Sequence, residues 1–506
     1  MDSGIQLVWF KRDLRVHDHA PLAAAAARGP VLPLYLVEPS LLAAPDFHPA
    51  HWTFLRSSLA ELREALARRG QPLVVRVGEA LEVLEALRRQ LAFTKIWAHE
   101  ETGNGLTYAR DRAVRRWARA SGVAMEELPA NGVVRRLASR NGWARQWEQR
   151  MASPLTPAPG LLAPVAVVPG GLPTLAELGL GSDHRRLAQP GGESAARATL
   201  DSFLTERGAN YHRDLSSPLT AFDGCSRLSP HLAWGTLSTR QVVQRLRARV
   251  LTAEGDWKRA LRAFDGRLHW RCHFMQKLED EPEIEFRNFM RAYDGMREND
   301  FHHDHFAAWQ NGLTGYPLVD ACMRCLEETG WINFRMRAML VSFAAYQLWL
   351  HWRQPALHLA RLFVDYEPGI HYSQSQMQSG TTGINTLRIY SPTKQVLDQD
   401  PRGVFIRRWI PELRDVPDAG IATPWLYPAL LDGYPLPIVD HATAVRQARA
   451  RMTPYRRQPV AQEEADGVQA KHGSRKSGLR SAVRPKPAPR AKPAPRPAEG
   501  QGNLFG

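Results

Sequence analysis

Between Asp223 and Ser238 the chain reads DGCSRLSPHLAWGTLS, which sets Ser226 and Ser229 just ahead of a helical pattern. Hydroxyl side chains and free backbone N–H groups at a helix start are donors for an anion, and a phosphate or a dinucleotide can be held there. The same residues also make an ordinary helix cap. Cys322 and Cys325 form a CxxC, but zinc or iron–sulfur binding needs further ligands. DACMRCLEETGW reads as an amphipathic helix, so these are two ordinary helix cysteines and no metal is expected. His17 and His19, and His302, His303 and His305 in FHHDHF, show no ligand spacing and read as solvated or loop residues.

Two kinds of element must position these groups. From residue 6 to about 130, β-rich runs (QLVWF, VLPLYLV at 31–37, LVVRV at 73–77, KIWAHE at 95–100, VAMEEL at 123–128) alternate with helical patterns such as Leu55, Leu59, Leu62 and Leu66. That rhythm predicts βαβ units and a parallel, Rossmann-like sheet in an α/β domain over 1–135. Residues 136–195 include a Pro- and Gly-rich stretch without periodicity and read as an interdomain linker. From 196 to 450, Arg, Leu, Ala and Trp at helical spacing predict an all-α domain.

Residues 451–506 form a Pro-rich tail with 12 Lys and Arg against 4 Asp and Glu, more than half of the net charge of +15. Such a segment buries too little to offset its ordering entropy, so disorder is expected. The basicity makes a polyanion partner plausible, with a solvated charged surface as the alternative. Four cysteines in 506 residues do not build a disulfide framework. No stretch of about 18 uncharged apolar residues occurs, so the expected setting is the cytoplasm, as a monomer, with no membrane contact.

Three segments carry a resemblance: YHRDLSSPLTAFDGCSRLSPHLAWGTLSTRQVV from Tyr211, WQNGLTGYPLVDACMRCLEETGWINFRMRAMLVSFAAYQLWLHWR at 309–353 with VDYEPG close behind, and LRIYSPTKQVLDQDPRGVFIRRWIPELRDVP at 387–417. In order and spacing they are similar to the flavin-cradling blocks of DNA photolyases and cryptochromes, and the resemblance runs from about residue 5 to 440. It implies FAD in the helical domain, with Tyr211, Cys225, Ser226, Leu228 and Ser229 on its phosphates and ribityl chain, Cys225 standing where Thr is usual. It implies Arg335 above the flavin ring with Asp365 as its partner, Glu367 as the next acidic position, and Trp270 with Arg271 on the helix lining the pocket. An arginine there favours the anionic reduced ring, and a carboxylate keeps it oriented. The implied activity is light-driven electron transfer from reduced FAD to a pyrimidine photoproduct in DNA, flipped out of the stack first.

The sequence departs from the family's pattern in the pocket. Arg267 stands where a Glu usually contacts the dimer, Phe334 where Asn is usual and Ala338 where Met is usual. His371 takes the position facing the flavin N5 edge, where an imidazole could donate a proton or hydrogen bond; an ordinary histidine at a helix start is the other reading. Trp352 matches the middle member of the family's electron relay, while Ser375 and Met377 fill the WxW positions, leaving Trp331, Trp349 or Tyr346 as other carriers. HEETGNGLTYARD at 99–111 lacks the Asn-Glu pair of a folate site, so a second, antenna chromophore stays unnamed. The functions in view are a photoproduct lyase, a cryptochrome-like blue-light receptor without repair, and a flavoprotein that only binds DNA or protein. Gln501, Leu504 and Phe505 in the final QGNLFG resemble the short peptide by which bacterial DNA-processing proteins dock on the sliding clamp.

Overall fold

The computed structural model describes residues 4–384 and 387–473. Each of the five β-rich runs becomes a strand: β1 (Gln6–Phe10), β2 (Val31–Val37), β3 (Val74–Val77), β4 (Lys95–His99) and β5 (Ala124–Leu128). All pairs are parallel, in the order β3-β2-β1-β4-β5. Successive side chains of a strand point to opposite faces, and helices cover both. On one face Val8 and Phe10 pack against Leu22 of α1 (Ala20–Ala26) and Leu55, Leu59 and Leu62 of α2 (Pro49–Ala67). On the other, Leu7 and Trp9 meet Leu84 and Leu87 of α3 (Ala80–Leu91) and Val114 of α4 (Gly105–Ala120). The strand order reverses at β1, which opens a crevice at the strand C-termini, where α/β sheets bind ligands. Lys11, Arg12, Glu38, Glu101 and Arg110 line it.

The expected interdomain linker over 136–195 carries regular structure. α5 (Trp143–Ala152) lies inside it, and Trp143, Trp147 and Met151 sit in the helical core beside Phe203, Leu246 and Leu268. The chain that follows is an ordered strap along the α/β domain, with Leu162 N–H bonded to Arg69 O and Val75 N–H to Pro169 O, both at 2.7 Å.

In the helical domain the short α6 (Ser229–Ala233) follows the serine-rich turn, α7 (Gly255–Asp280) runs 26 residues, α9 (Pro368–Ser379) packs beside it, and α8 (Phe334–Ser342) packs on α9. α7 and α9 approach so closely at Gly369 that a Cβ there would lie 2.6 Å from Met275 Cα. The expected disordered tail from 451 is corrected in its first part, because α10 (His441–Arg457) crosses that boundary and α11 (Pro459–His472) follows. Met452 and Ala461 are buried in a cluster with Tyr293, Tyr346 and Trp349, and Tyr455 and Val468 pack against it. Gln501, Leu504 and Phe505 lie outside the described residues. Among those described, no helix is long and apolar enough to cross a membrane.

The loop after β1 fastens the two domains. Arg12 Nε donates to Ala233 O at 2.9 Å and its Nη2 to Tyr366 O, while Arg15 Nη1 donates to Gly235 O at 2.9 Å. Asp18 accepts from Ser238 Oγ at 2.6 Å and from Arg240. Gly235 has φ +69°, and a Cβ there would lie 2.1 Å from Arg12 O, so only glycine lets the loop close down. His19 is not the solvated residue expected. It is fully buried, caps α1 by accepting from Leu22 N–H on Nδ1, and meets Asp13 Oδ2 through Nε2 at 2.9 Å, an oxygen that His99 Nδ1 also reaches at 2.7 Å. The capping bond fixes the His19 proton on Nε2, so these imidazoles act as donors to a carboxylate rather than as lone pairs for a cation.

Candidate active site

Where α6, α7, α8 and α9 converge they enclose a cavity of about 820 Å³, within the roughly 300–1,000 Å³ usual for cofactor pockets. One end is built by the serine-rich turn. Arg227 adopts φ +58°, rare for a residue with a Cβ, and so bends the chain between Ser226 and Ser229, both of which face the cavity. The Arg227 guanidinium lies 4.1 Å above the Trp331 ring, and burial brings its pKa down to about 10. Tyr211 also lines this end, wedged edge-on against Phe203 and Phe264. Cys225 lines it too, with a thiol that burial pushes up to about 12. Leu228 turns its side chain into the core, fully buried, and does not line the cavity.

The charged pair of the wall is Asp365 with Arg337, not Arg335. Arg337 Nη1 and Nη2 meet Asp365 Oδ1 and Oδ2 at 2.9 Å each, and Nε donates to Ile332 O at 2.7 Å. Arg335, two residues away on α8, points off to another side and does not line the cavity. A second pair joins Arg271 Nη2 to Glu367 Oε2 at 2.9 Å. The other Glu367 oxygen, Oε1, and Asn333 Oδ1 are buried on the same wall without a partner among the described residues. Buried acceptors left open in this way call for a bound molecule that carries donors.

His371, buried on α9, contacts Ala356 O through Nε2 at 2.7 Å. A carbonyl only accepts, so the proton sits on Nε2 and the remaining Nδ1 is an acceptor, unlike the donor of one of the two sequence readings. Burial holds its pKa down to about 4 and keeps it neutral.

Along α7, Arg267, Trp270, Phe274 and Lys277 all reach the cavity at helical spacing. Trp270 and Phe274 stack at 5.5 Å and 28°. Lys277 lies 5.1 Å from the Phe274 ring centroid, and burial, then Arg140, bring its pKa down to about 8. Phe334, Ala338, Ser375 and Met377 line the same space. Trp352 stands behind the wall, its Nε1 bonded to Asn288 Oδ1 at 2.8 Å and its ring 6.3 Å from Tyr372. Gln469 and His472 of α11 also reach the cavity. Sequence reasoning missed Arg337, Asn333, Phe274, Lys277 and Tyr366; the i, i+3, i+7, i+10 spacing from Arg267 was a usable signal for Phe274 and Lys277.

Residues 264–454 match the family described as the FAD binding domain of DNA photolyase, and residues 6–149 the family described as DNA photolyase. The deoxyribodipyrimidine photo-lyase of Halobacterium salinarum is 32% identical, across 87% of this chain and 96% of that one. The chain belongs to the DNA photolyase and cryptochrome family. Another photolyase–cryptochrome relative, the cryptochrome DASH of Gloeobacter violaceus, is 30% identical over 87% of this chain and 94% of its own. The archaeal photolyase of Sulfolobus tokodaii, solved with two FAD molecules, superposes with a TM-score of 0.75 at 25% identity, covering 89% of this chain and all of that one. The helical half is thus the family's FAD-binding domain, and its cavity offers what a flavin dinucleotide requires: hydroxyl and guanidinium donors, open acceptors and a neutral imidazole.

Proposed function

We propose that the protein is a light-dependent lyase that restores pyrimidine photoproducts in DNA. The observation that carries this is the α7 stripe, in which two stacked aromatic rings are bracketed by Arg267 and Lys277. Rings with cations at either end suit unstacked bases and the phosphates beside them. The relatives named photo-lyases support the reading.

FAD bound in the cavity supplies a light-excited one-electron donor when reduced. Ser226, Ser229 and Tyr211 would hold its phosphates and ribityl chain. Arg337, kept in place by Asp365, would set positive charge against the ring, and the open Glu367 Oε1 and Asn333 Oδ1 would take its donors. Trp270 and Phe274 would receive the flipped bases, and Arg267, exposed at the rim, would neutralise a phosphate.

The β1 crevice at the reversal of strand order is where a second, antenna chromophore would sit; the Sulfolobus tokodaii photolyase, solved with two FAD molecules, is described as implying a light-harvesting cofactor. The protein would work as a cytoplasmic monomer, and its final Gln501, Leu504 and Phe505 would tether it to the replication sliding clamp. A blue-light receptor is the second reading, favoured by Arg267, Phe334 and Ala338 at substrate positions and by α11 reaching the cavity. The deciding experiment illuminates reduced protein with oligonucleotides carrying cyclobutane dimers or (6-4) photoproducts and counts restored bases. Restoration of neither, with flavin bound and DNA engaged, would end the lyase reading.

A further inference from the structure

With Ser375 and Met377 where the relay tryptophans would stand, the cavity needs another source of electrons, and the chain offers one next to Asp365 of the Arg337 pair. The Tyr366 hydroxyl lies 2.7 Å from Asp46 Oδ2 and 3.1 Å from the Tyr372 hydroxyl. A carboxylate can only accept, so Tyr366 donates to Asp46. Tyr366 lines both the flavin cavity and the β1 crevice. Beyond it the rings continue through the core: Tyr366 to Tyr372 at 6.4 Å, and Tyr372 to the buried Trp352 at 6.3 Å.

We propose that Tyr366 is the one-electron donor that photoreduces the flavin, with Asp46 as its proton acceptor and Tyr372 and Trp352 as the path by which it is refilled. This rests on the reading of the cavity as the flavin site. A phenol is hard to oxidise unless its proton leaves with the electron, and a hydrogen-bonded carboxylate gives that proton a place to go. The oxidant is the light-excited oxidised flavin, which gains the electron. The Tyr366 O–H bond breaks, the proton moves to Asp46 Oδ2, and a neutral phenoxyl remains. An external thiolate then gives one electron through Trp352 and Tyr372, becoming a thiyl radical, and the proton returns from Asp46 to re-form the phenol.

The other aromatic candidates are less suited, because a cation on a ring face opposes removal of an electron from that ring. Trp331 has Arg227 at 4.1 Å, and Trp349 has Arg297 at 4.5 Å and Arg451 at 5.2 Å. Among the described residues no Lys or Arg lies over Tyr366, Tyr372 or Trp352.

The test is electron paramagnetic resonance of flavin-loaded protein, frozen under blue light without added reductant, after growth on ring-deuterated tyrosine or ring-deuterated tryptophan. The radical signal should narrow with labelled tyrosine. It should be lost in Tyr366→Phe and in Asp46→Asn, each checked for flavin content and melting temperature. If Tyr366→Phe fails to hold flavin, the labelled wild type and Asp46→Asn decide. A signal that narrows only with labelled tryptophan, or that persists unchanged in a flavin-replete variant, overturns the proposal and leaves the flavin site standing. Wild-type protein that takes up no flavin overturns both.

Discussion

Arg337 meets Asp365 with both terminal nitrogens and spends its Nε on the Ile332 carbonyl, so the guanidinium is fixed at three points. Removing one partner of such a pair leaves the other charged and unmatched, at a cost of about 3–5 kcal/mol when buried. Asp365→Ala should therefore purify with little flavin, whereas Arg335→Ala should keep it. The flavin-to-protein absorbance ratio of the two variants checks this, and equal ratios would show that the pair does not support the cofactor.

Replacing Trp352 by Phe should slow photoreduction by at least about tenfold, while Trp349→Phe, under its two arginines, should change it by less than about twofold. Following flavin bleaching under continuous blue light with a thiol present measures both. Equal slowing in the two would mean that cation placement does not select the route.

Stability should fall steeply with acid. His51, His99 and His371 are buried, with pKa values that burial brings to about 3, 3 and 4. A folded-state pKa below the unfolded value of about 6.5 means that the unfolded chain binds the proton first. The stabilisation is then fully present above pH 6.5 and is lost as pH drops from there toward the folded values. Each such histidine costs about 2 kcal/mol between pH 6.5 and 5. Melting temperatures across that interval should fall; a flat profile would mean that these imidazoles charge while folded.

DNA affinity should weaken with salt, and Arg267→Ala should lower the slope of log K against log salt by about 1. Lys277→Met should act on damaged DNA more than on intact DNA, since its ammonium lies inside the cavity. Fluorescence anisotropy at several salt concentrations separates the two effects, and a slope unchanged in Arg267→Ala would remove that residue from the phosphate contacts.

Capture of the bacterial sliding clamp should require the last residues of the chain. Intact protein should retain the clamp on a resin, and the Leu504→Ala, Phe505→Ala double variant should not. Equal recovery from both would remove the tether.

The strands were legible because short apolar runs between helical patterns leave little choice of element, and all five appear where the runs are. The arginine of the Asp365 pair was misjudged for a reason of phase. In NFRMR two arginines stand two residues apart, and on a helix that spacing turns the side chain by roughly 200°. Only the three-dimensional position of Asp365 says which one faces it. α11 was hidden because its charged and small residues look like solvated tail until Val468 and Ala461 meet the cluster around Tyr293 and Trp349. The Tyr366–Asp46 contact joins residues 320 apart and has no local signature at all.

The loop that fastens the domains also sets an order of assembly. Its residues, Arg12, Arg15 and Asp18, leave the ribosome with the first strand, and the sheet they belong to is complete by Leu128. Their partners arrive later, Ala233 to Arg240 first and Tyr366 more than 120 residues after that. Since domains fold as units, N-terminal first during synthesis, the helical half is born facing a finished docking surface. A helical domain expressed from residue 196 onward would lack that template, and Gly235, freed of the loop it was shaped to admit, would become a point of slack in the new chain.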